Sequence, residues 1–167
     1  MIESIALSAA ERAAECLSDA HAQRAIAAIR EVGVVVLENA VAVEHLDALH
    51  ERLLADTHAL VAARDRGASI PGWKRGHLQQ KPPHHPPYIF RDVVANPFAV
   101  QLTHGVLGDG LFNSFYSGNT NLPGSEEQPL HRDAQPLWPD GDGDHPVTTL
   151  VVNISPIHVH ADNGSTE

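Results

Sequence analysis

The chain has 167 residues, 43% of them hydrophobic, which suits one domain with an apolar core. Its net charge is −10, from 21 acidic and 11 basic residues, and no Lys or Arg cluster is available to neutralise phosphates, so nucleic acid is excluded as an expected partner. No stretch approaches the roughly 20 apolar residues of a membrane span, the N-terminus lacks a basic region followed by an apolar one, and the lone Cys16 excludes an internal disulfide and a thiolate zinc site. A cytoplasmic protein without membrane partners is expected.

In chain order, residues 8–31 read as one helix. Ser8 with Glu11 three positions on forms a capping box, Ala, Leu and Ile recur at helical spacing through Ile29, and Gly33 ends the run. Cys16, on this Ala-rich helix, is expected as a small buried apolar residue. Val34 to Leu37 is a short β-branched run of the kind that makes a buried strand. A second amphipathic helix follows, with Val43, Leu46, Leu49, Leu53, Leu54 and Leu60 on one stripe, fading between Arg64 and Gly67.

Residues 67–97 collect nine Pro and Gly residues, from Gly67 to Pro97, a content that predicts a long ordered loop or lid in place of a helix or central strand. Ile70, Trp73, Tyr88, Ile89 and Phe90 argue against disorder. The tract around His84 and His85 reads either as solvated polyproline or as a cover that helps select substrate. A short helix from Asn96 to Leu107, stopped by Gly108, is followed by a predicted strand from Leu111 to Tyr116. Asp140 to His145 is an acidic turn; without a closing Glu it is not an EF-hand loop. Thr148 to Ile154 is the clearest strand, with polar Asn153 either facing a site or pairing locally. Pro156 to His160 reads as another strand, and Asp162-Asn163-Gly164 as a turn.

The stretch from Gly118 to Pro139 carries the chemistry. His-x-Asp pairs are common, and roughly one is expected by chance in a chain of this composition; this chain has three. His45 and Asp47 fall on the second helix, where side chains two apart diverge by about 200°. Asp162 is accounted for by its turn. His131 and Asp133 follow a Gly-Pro loop, where extended backbone aims both side chains one way and an imidazole and a carboxylate can take adjacent positions on one divalent metal.

The order of Leu107-Gly108, Asn119-Thr-Asn121, Pro123-Gly124-Ser125, Gln128-Pro-Leu-His131-Arg-Asp133 and Asp162-Asn-Gly-Ser-Thr-Glu167 resembles the phytanoyl-CoA dioxygenase family, as does Gly33-Val-Val-Val-Leu37 before a helix. The resemblance covers most of the chain and is strongest over 107–167. It implies an α+β protein with a mainly β core, a double-stranded β-helix or jelly-roll with helices outside it, and a single domain of which residues 111–167 form the first half of the barrel.

It further implies hydroxylation of an aliphatic small molecule with Fe(II), 2-oxoglutarate and O2, with His131 and Asp133 as two metal ligands. Two His and one carboxylate on one face of Fe(II) leave open positions for the keto acid and O2. Asn119, Asn121 and Trp138 are candidates to contact 2-oxoglutarate or wall its pocket; a turn amide or a core indole explains each equally well.

In the family the second His, and a basic residue that pairs with the keto acid, follow the Asn-Gly turn. The chain is therefore expected to be a fragment of a longer enzyme, with an incomplete barrel and no activity at this length. His158 and His160 alternate on the expected final strand, as ligands would, although the family pattern places an ordinary strand end there. Two other classes fit: a cupin-like metal enzyme that is not an oxygenase, and a non-catalytic binding module.

Overall fold

The computed structural model describes residues 2–131, 133–134, 137–138 and 145–165. In chain order the elements are β1 (Glu3–Ala6), α1 (Ala9–Ala14), α2 (Asp19–Val32), β2 (Val35–Glu38), α3 (Val43–Asp65), β3 (Trp73–Lys74), β4 (His77–Gln80), α4 (Arg91–Val94), α5 (Pro97–Leu107), β5 (Gly118–Asn121) and a 3-10 turn at Ala161–Asn163. They fall into two units, one of Met1–Ala40, Ala95–Phe112 and Pro129–Asn153, the other of Val41–Val94, Asn113–Gln128 and Ile154–Glu167.

In the first unit β1 and β2 pair in parallel, Ile5 opposite Leu37, and the parallel pairing needs a crossover that α1 and α2 supply. The predicted helix over 8–31 is two helices. Ser8 and Glu11 make the expected capping box, but Glu15 turns into the left-handed region at φ 50° and Ser18 caps a new helix by accepting the His21 N–H. Glu11 joins the two: its carboxylate accepts the Ser8 N–H at 3.0 Å and the Ser18 N–H at 2.8 Å, with His21 Nδ1 at 2.8 Å. A second cap in the sequence, Ser18 before Asp19, is the signal for the break. Cys16 lies in this reversal and is exposed, contrary to the expectation of burial on a continuous helix.

Gly33 ends α2 at φ 86°, as predicted. The strand that follows is half-buried, not buried: Val35 and Leu37 pack on the core while Val34 and Val36 face out, because a two-stranded sheet backed by one helix has one covered face. The core is Ile5, Leu7, Leu17, Ala25, Phe98 and Leu102, with Ala22, Ile26 and Ile29 against it. Helix α5 begins where predicted, Asn96 Oδ1 accepting the Phe98 and Ala99 N–H groups while its amide donates to Ala40 O. It approaches α2 closely at Gly105, where a Cβ would lie 2.4 Å from Ile26 Cδ1.

In the second unit α3 spans the predicted range, but its stripe is only partly covered: Leu49 is buried, whereas Val43 and Leu54 are exposed. Its N-cap, Ala42, has no side chain to cap with, and Asp92 of α4 does so instead, accepting the Ala42 N–H at 2.9 Å. The predicted long loop at 67–97 contains a hairpin. Strands β3 and β4 turn at Arg75 and Gly76, both at positive φ, and β4 pairs antiparallel with β5, giving a sheet in the order β3-β4-β5. The prolines flank these strands and do not interrupt them, and the pairing partner lies about 40 residues on, out of reach of any local signal.

The strands predicted at 111–116, 148–154 and 156–160 are not paired with any described residue. Alternation marks a face, but a strand also needs a neighbouring backbone to accept its hydrogen bonds, and Phe112, Phe115, Val151, Val152, Ile157 and Val159 remain exposed. The Asp162 turn is present as the 3-10 segment, with Gly164 at φ 82°. The acidic turn at 140–144 lies outside the described residues. The described strands form two small sheets and no closed barrel, and no described helix is long and apolar enough to cross a membrane.

Candidate metal half-site

His131 and Asp133 lie beyond β5 and the turn at Gly124, where the Ser125 N–H returns to Leu122 O and the φ of +78° suits glycine. They belong to the first unit, and Arg132 between them is outside the described residues. His131 Nδ1 is 2.8 Å from the Pro129 carbonyl oxygen. A carbonyl only accepts, so Nδ1 carries a proton, and Nε2 is the ring nitrogen left for another partner. That nitrogen is 3.5 Å from Asp133 Oδ1.

The two atoms approach as an ion pair would when the ring is protonated, and as two ligands of one cation would when Nε2 is deprotonated. Nitrogen and oxygen ligands about 2.1 Å from one metal, at angles of about 90–109°, stand roughly 3.0–3.4 Å apart. The side chains are 55% and 70% exposed. A ring whose far N–H is anchored on a carbonyl is also how metal-binding histidines are held. The donor set therefore fits a divalent ion as half a site. Among the described residues no group of three His, Cys, Asp or Glu side chains could hold one together.

The other predicted contacts are placed as follows. Asn119 and Asn121 lie on one exposed face of β5, in the second unit. Asn121 is held at both ends of its amide, Oδ1 accepting from His77 Nδ1 at 2.7 Å and Nδ2 donating to Gly164 O at 2.8 Å. Trp138, in the first unit, stacks on His145 at 4.2 Å between centroids, and His145 Nδ1 accepts the Leu137 N–H at 3.2 Å. His158 and His160, the alternative third ligands, belong to the second unit with ring centroids 6.1 Å apart. His160 Nδ1 accepts the Asp162 N–H at 3.3 Å, so this pair does turn chemistry.

Two arrangements escaped the sequence reading. His45 does not meet Asp47; its Nδ1 lies 2.8 Å from Asp92 Oδ1 while its ring stacks on Phe90 at 4.1 Å. His77 has both ring nitrogens on acceptors, Asn121 Oδ1 and the Glu126 carbonyl, and so ties β4 to β5 and the loop after it. Each joins residues more than 40 positions apart, and no spacing rule reports such contacts. In comparison with known protein families, no family model matches the chain.

Proposed function

We propose that this chain carries part of an Fe(II)/2-oxoglutarate-dependent oxygenase centre that hydroxylates an aliphatic small molecule, with His131 and Asp133 as two of its metal ligands. One observation carries the reading: with His131 Nδ1 anchored on the Pro129 carbonyl, Nε2 comes within 3.5 Å of Asp133 Oδ1. The ordered resemblance of Asn119 to Asp133 to the phytanoyl-CoA dioxygenase pattern selects Fe(II) over other divalent ions. Bound there with 2-oxoglutarate, Fe(II) would supply the activation of O2. The chain's own residues would present one neutral nitrogen and one carboxylate on the same face of the ion, and the carboxylate would offset part of its charge. Trp138, five positions after Asp133 and stacked on His145, is the residue that would wall the keto acid's pocket.

The test is an anaerobic titration with Fe(II), and with Co(II) as a spectroscopic substitute, carried to millimolar metal because two ligands bind weakly. Saturable binding that is lost in both His131→Ala and Asp133→Ala is expected, and 2-oxoglutarate added without O2 should give the visible charge-transfer band of a chelated keto acid. Metal binding unaffected by both substitutions refutes the ligand assignment. Binding that depends on the pair but gives no band refutes the oxygenase reading and favours a cupin-like enzyme of another kind.

A further inference from the structure

A second feature, wholly within the second unit and independent of the metal reading, is a cleft of about 380 Å³ where the end of α3 meets the β3–β4 hairpin. Its walls include Arg64, Ser69, Ile70, Trp73, Arg75 and Gly76. In a chain of net charge −10, two of the 11 basic residues line this one cleft.

The Arg64 guanidinium lies over the Trp73 ring, Cζ 4.3 Å from the centroid. The cation–π contact holds in place a side chain that would otherwise sample many rotamers, and among the described residues no hydrogen-bond acceptor meets the Arg64 N–H groups, which suit a planar, two-pronged acceptor. The helix end does not require Arg64 as a cap. The N–H groups of Arg66 and Ala68 already bond Ala63 O, and the Gly67 N–H bonds Arg64 O at 2.8 Å.

Arg75 stands at the hairpin turn, 3.5 Å from Glu126 Oε2, with both side chains about two-thirds exposed. A screened pair of that length is exchangeable, so a stronger acceptor can displace Glu126. Asp65 is the other acidic neighbour in sequence, but it is exposed and, one position along α3, projects about 100° away from Arg64. The apolar surface is supplied by half-buried Ile70 and Trp73.

We propose that this cleft is a binding site for a small molecule with an anionic oxyacid group, a carboxylate or a phosphate, on a flat or apolar body. The oxyacid is gripped by the N–H edge of Arg64 with Arg75 as the second cation. The body lies against Ile70 and the edge of Trp73. The cleft volume is at the small end of the range for ligand pockets and fits a compact molecule of this kind.

The experiment uses the full chain with Trp138→Phe, which leaves Trp73 as the only tryptophan. Its fluorescence is titrated with benzoate, phenyl phosphate, inorganic phosphate and neutral benzyl alcohol, with calorimetry on the same samples. A saturable change with benzoate or phenyl phosphate is expected, and the tighter of the two identifies the oxyacid. Binding should weaken about tenfold or more in Arg64→Gln and several-fold in Arg75→Gln, and should weaken with added salt. Arg64→Lys keeps the charge but loses the fork and should rescue only part of the affinity.

No saturation by either aromatic anion below roughly 10 mM overturns the proposal. So does equal binding of benzyl alcohol, or wild-type affinity in both Gln variants. Equal midpoints for inorganic phosphate and phenyl phosphate overturn the role given to Ile70 and Trp73. Circular dichroism of the variants verifies that these exposed substitutions leave the fold intact.

Discussion

Gln80 is the side chain on which the second unit's helix and sheet depend, and its substitution gives a graded, pH-dependent test. It is 5% exposed, as is Thr57 on α3. Its Nε2 donates to Leu53 O at 2.9 Å, and its Oε1 accepts the Thr57 hydroxyl at 2.7 Å and, more weakly, the Thr120 hydroxyl at 3.3 Å. One amide thus links α3, β4 and β5. In Gln80→Leu all three bonds are lost, the 3.3 Å one contributing least, but Thr57 can turn wholly to Leu53 O, already 2.8 Å away, so the buried Thr57 donor is not orphaned. At about 1 kcal/mol for each of the two shorter bonds the cost is about 2 kcal/mol, reduced by the apolar burial of Leu.

Gln80→Glu has nearly the same shape and a different outcome. It replaces the donor with a second acceptor facing Leu53 O and buries a charge without a cation, at a cost of roughly 3–5 kcal/mol at neutral pH. A protonated Glu regains a donor for Leu53 O, so this cost should shrink as pH is lowered, whereas the cost of Gln80→Leu should not follow pH. Urea unfolding followed by Trp73 fluorescence in the Trp138→Phe background reports on β3, which pairs directly with β4. Equal destabilisation by the two substitutions at neutral pH, with no pH dependence for Glu, would refute the reasoning.

Three further outcomes follow from the geometry. The Glu11 carboxylate is held well below the usual carboxylate range, first by the Ser18 N–H and then by the Ser8 N–H. Its contribution to stability should be complete above the ordinary value of 4.5 and fade as pH falls through its lowered value, so the gap between wild type and Glu11→Gln, measured by urea midpoints, should narrow in acid. Asp92→Ala removes the acceptor of the Ala42 N–H and of His45 Nδ1 and should destabilise by about 1–2 kcal/mol; denaturant midpoints check it, and no change would show that α3 needs no borrowed cap. Gly76→Ala places a Cβ 2.6 Å from Ser125 Cα at a φ of +83°; a loss of roughly 1–3 kcal/mol by thermal unfolding is expected, and a neutral result would mean that the loop yields freely.

Local chemistry was readable from the sequence wherever a residue's partner is its neighbour. The Ser8–Glu11 box and the stop at Gly33 rest on contacts within about one helical turn, which spacing reports directly, and the helix from Asn96 and the span of α3 are read from the same helical periodicity. The two-residue spacing of His131 and Asp133 does bring their side chains to 3.5 Å, and His45 and Asp47 lie on α3, where side chains two apart diverge. Tertiary structure alone decided the remainder. Strand β1 exists because β2 runs beside it, the hairpin at 73–80 because β5 closes on it, and the expected strands at 111–116 and 148–160 lack a described partner despite their alternation. His77 with Asn121, His45 with Asp92, and Gln80 with Thr57 are likewise pairings across distance. A strand or a tertiary hydrogen bond is a property of two segments, and the pattern of either segment alone states only what it is able to do.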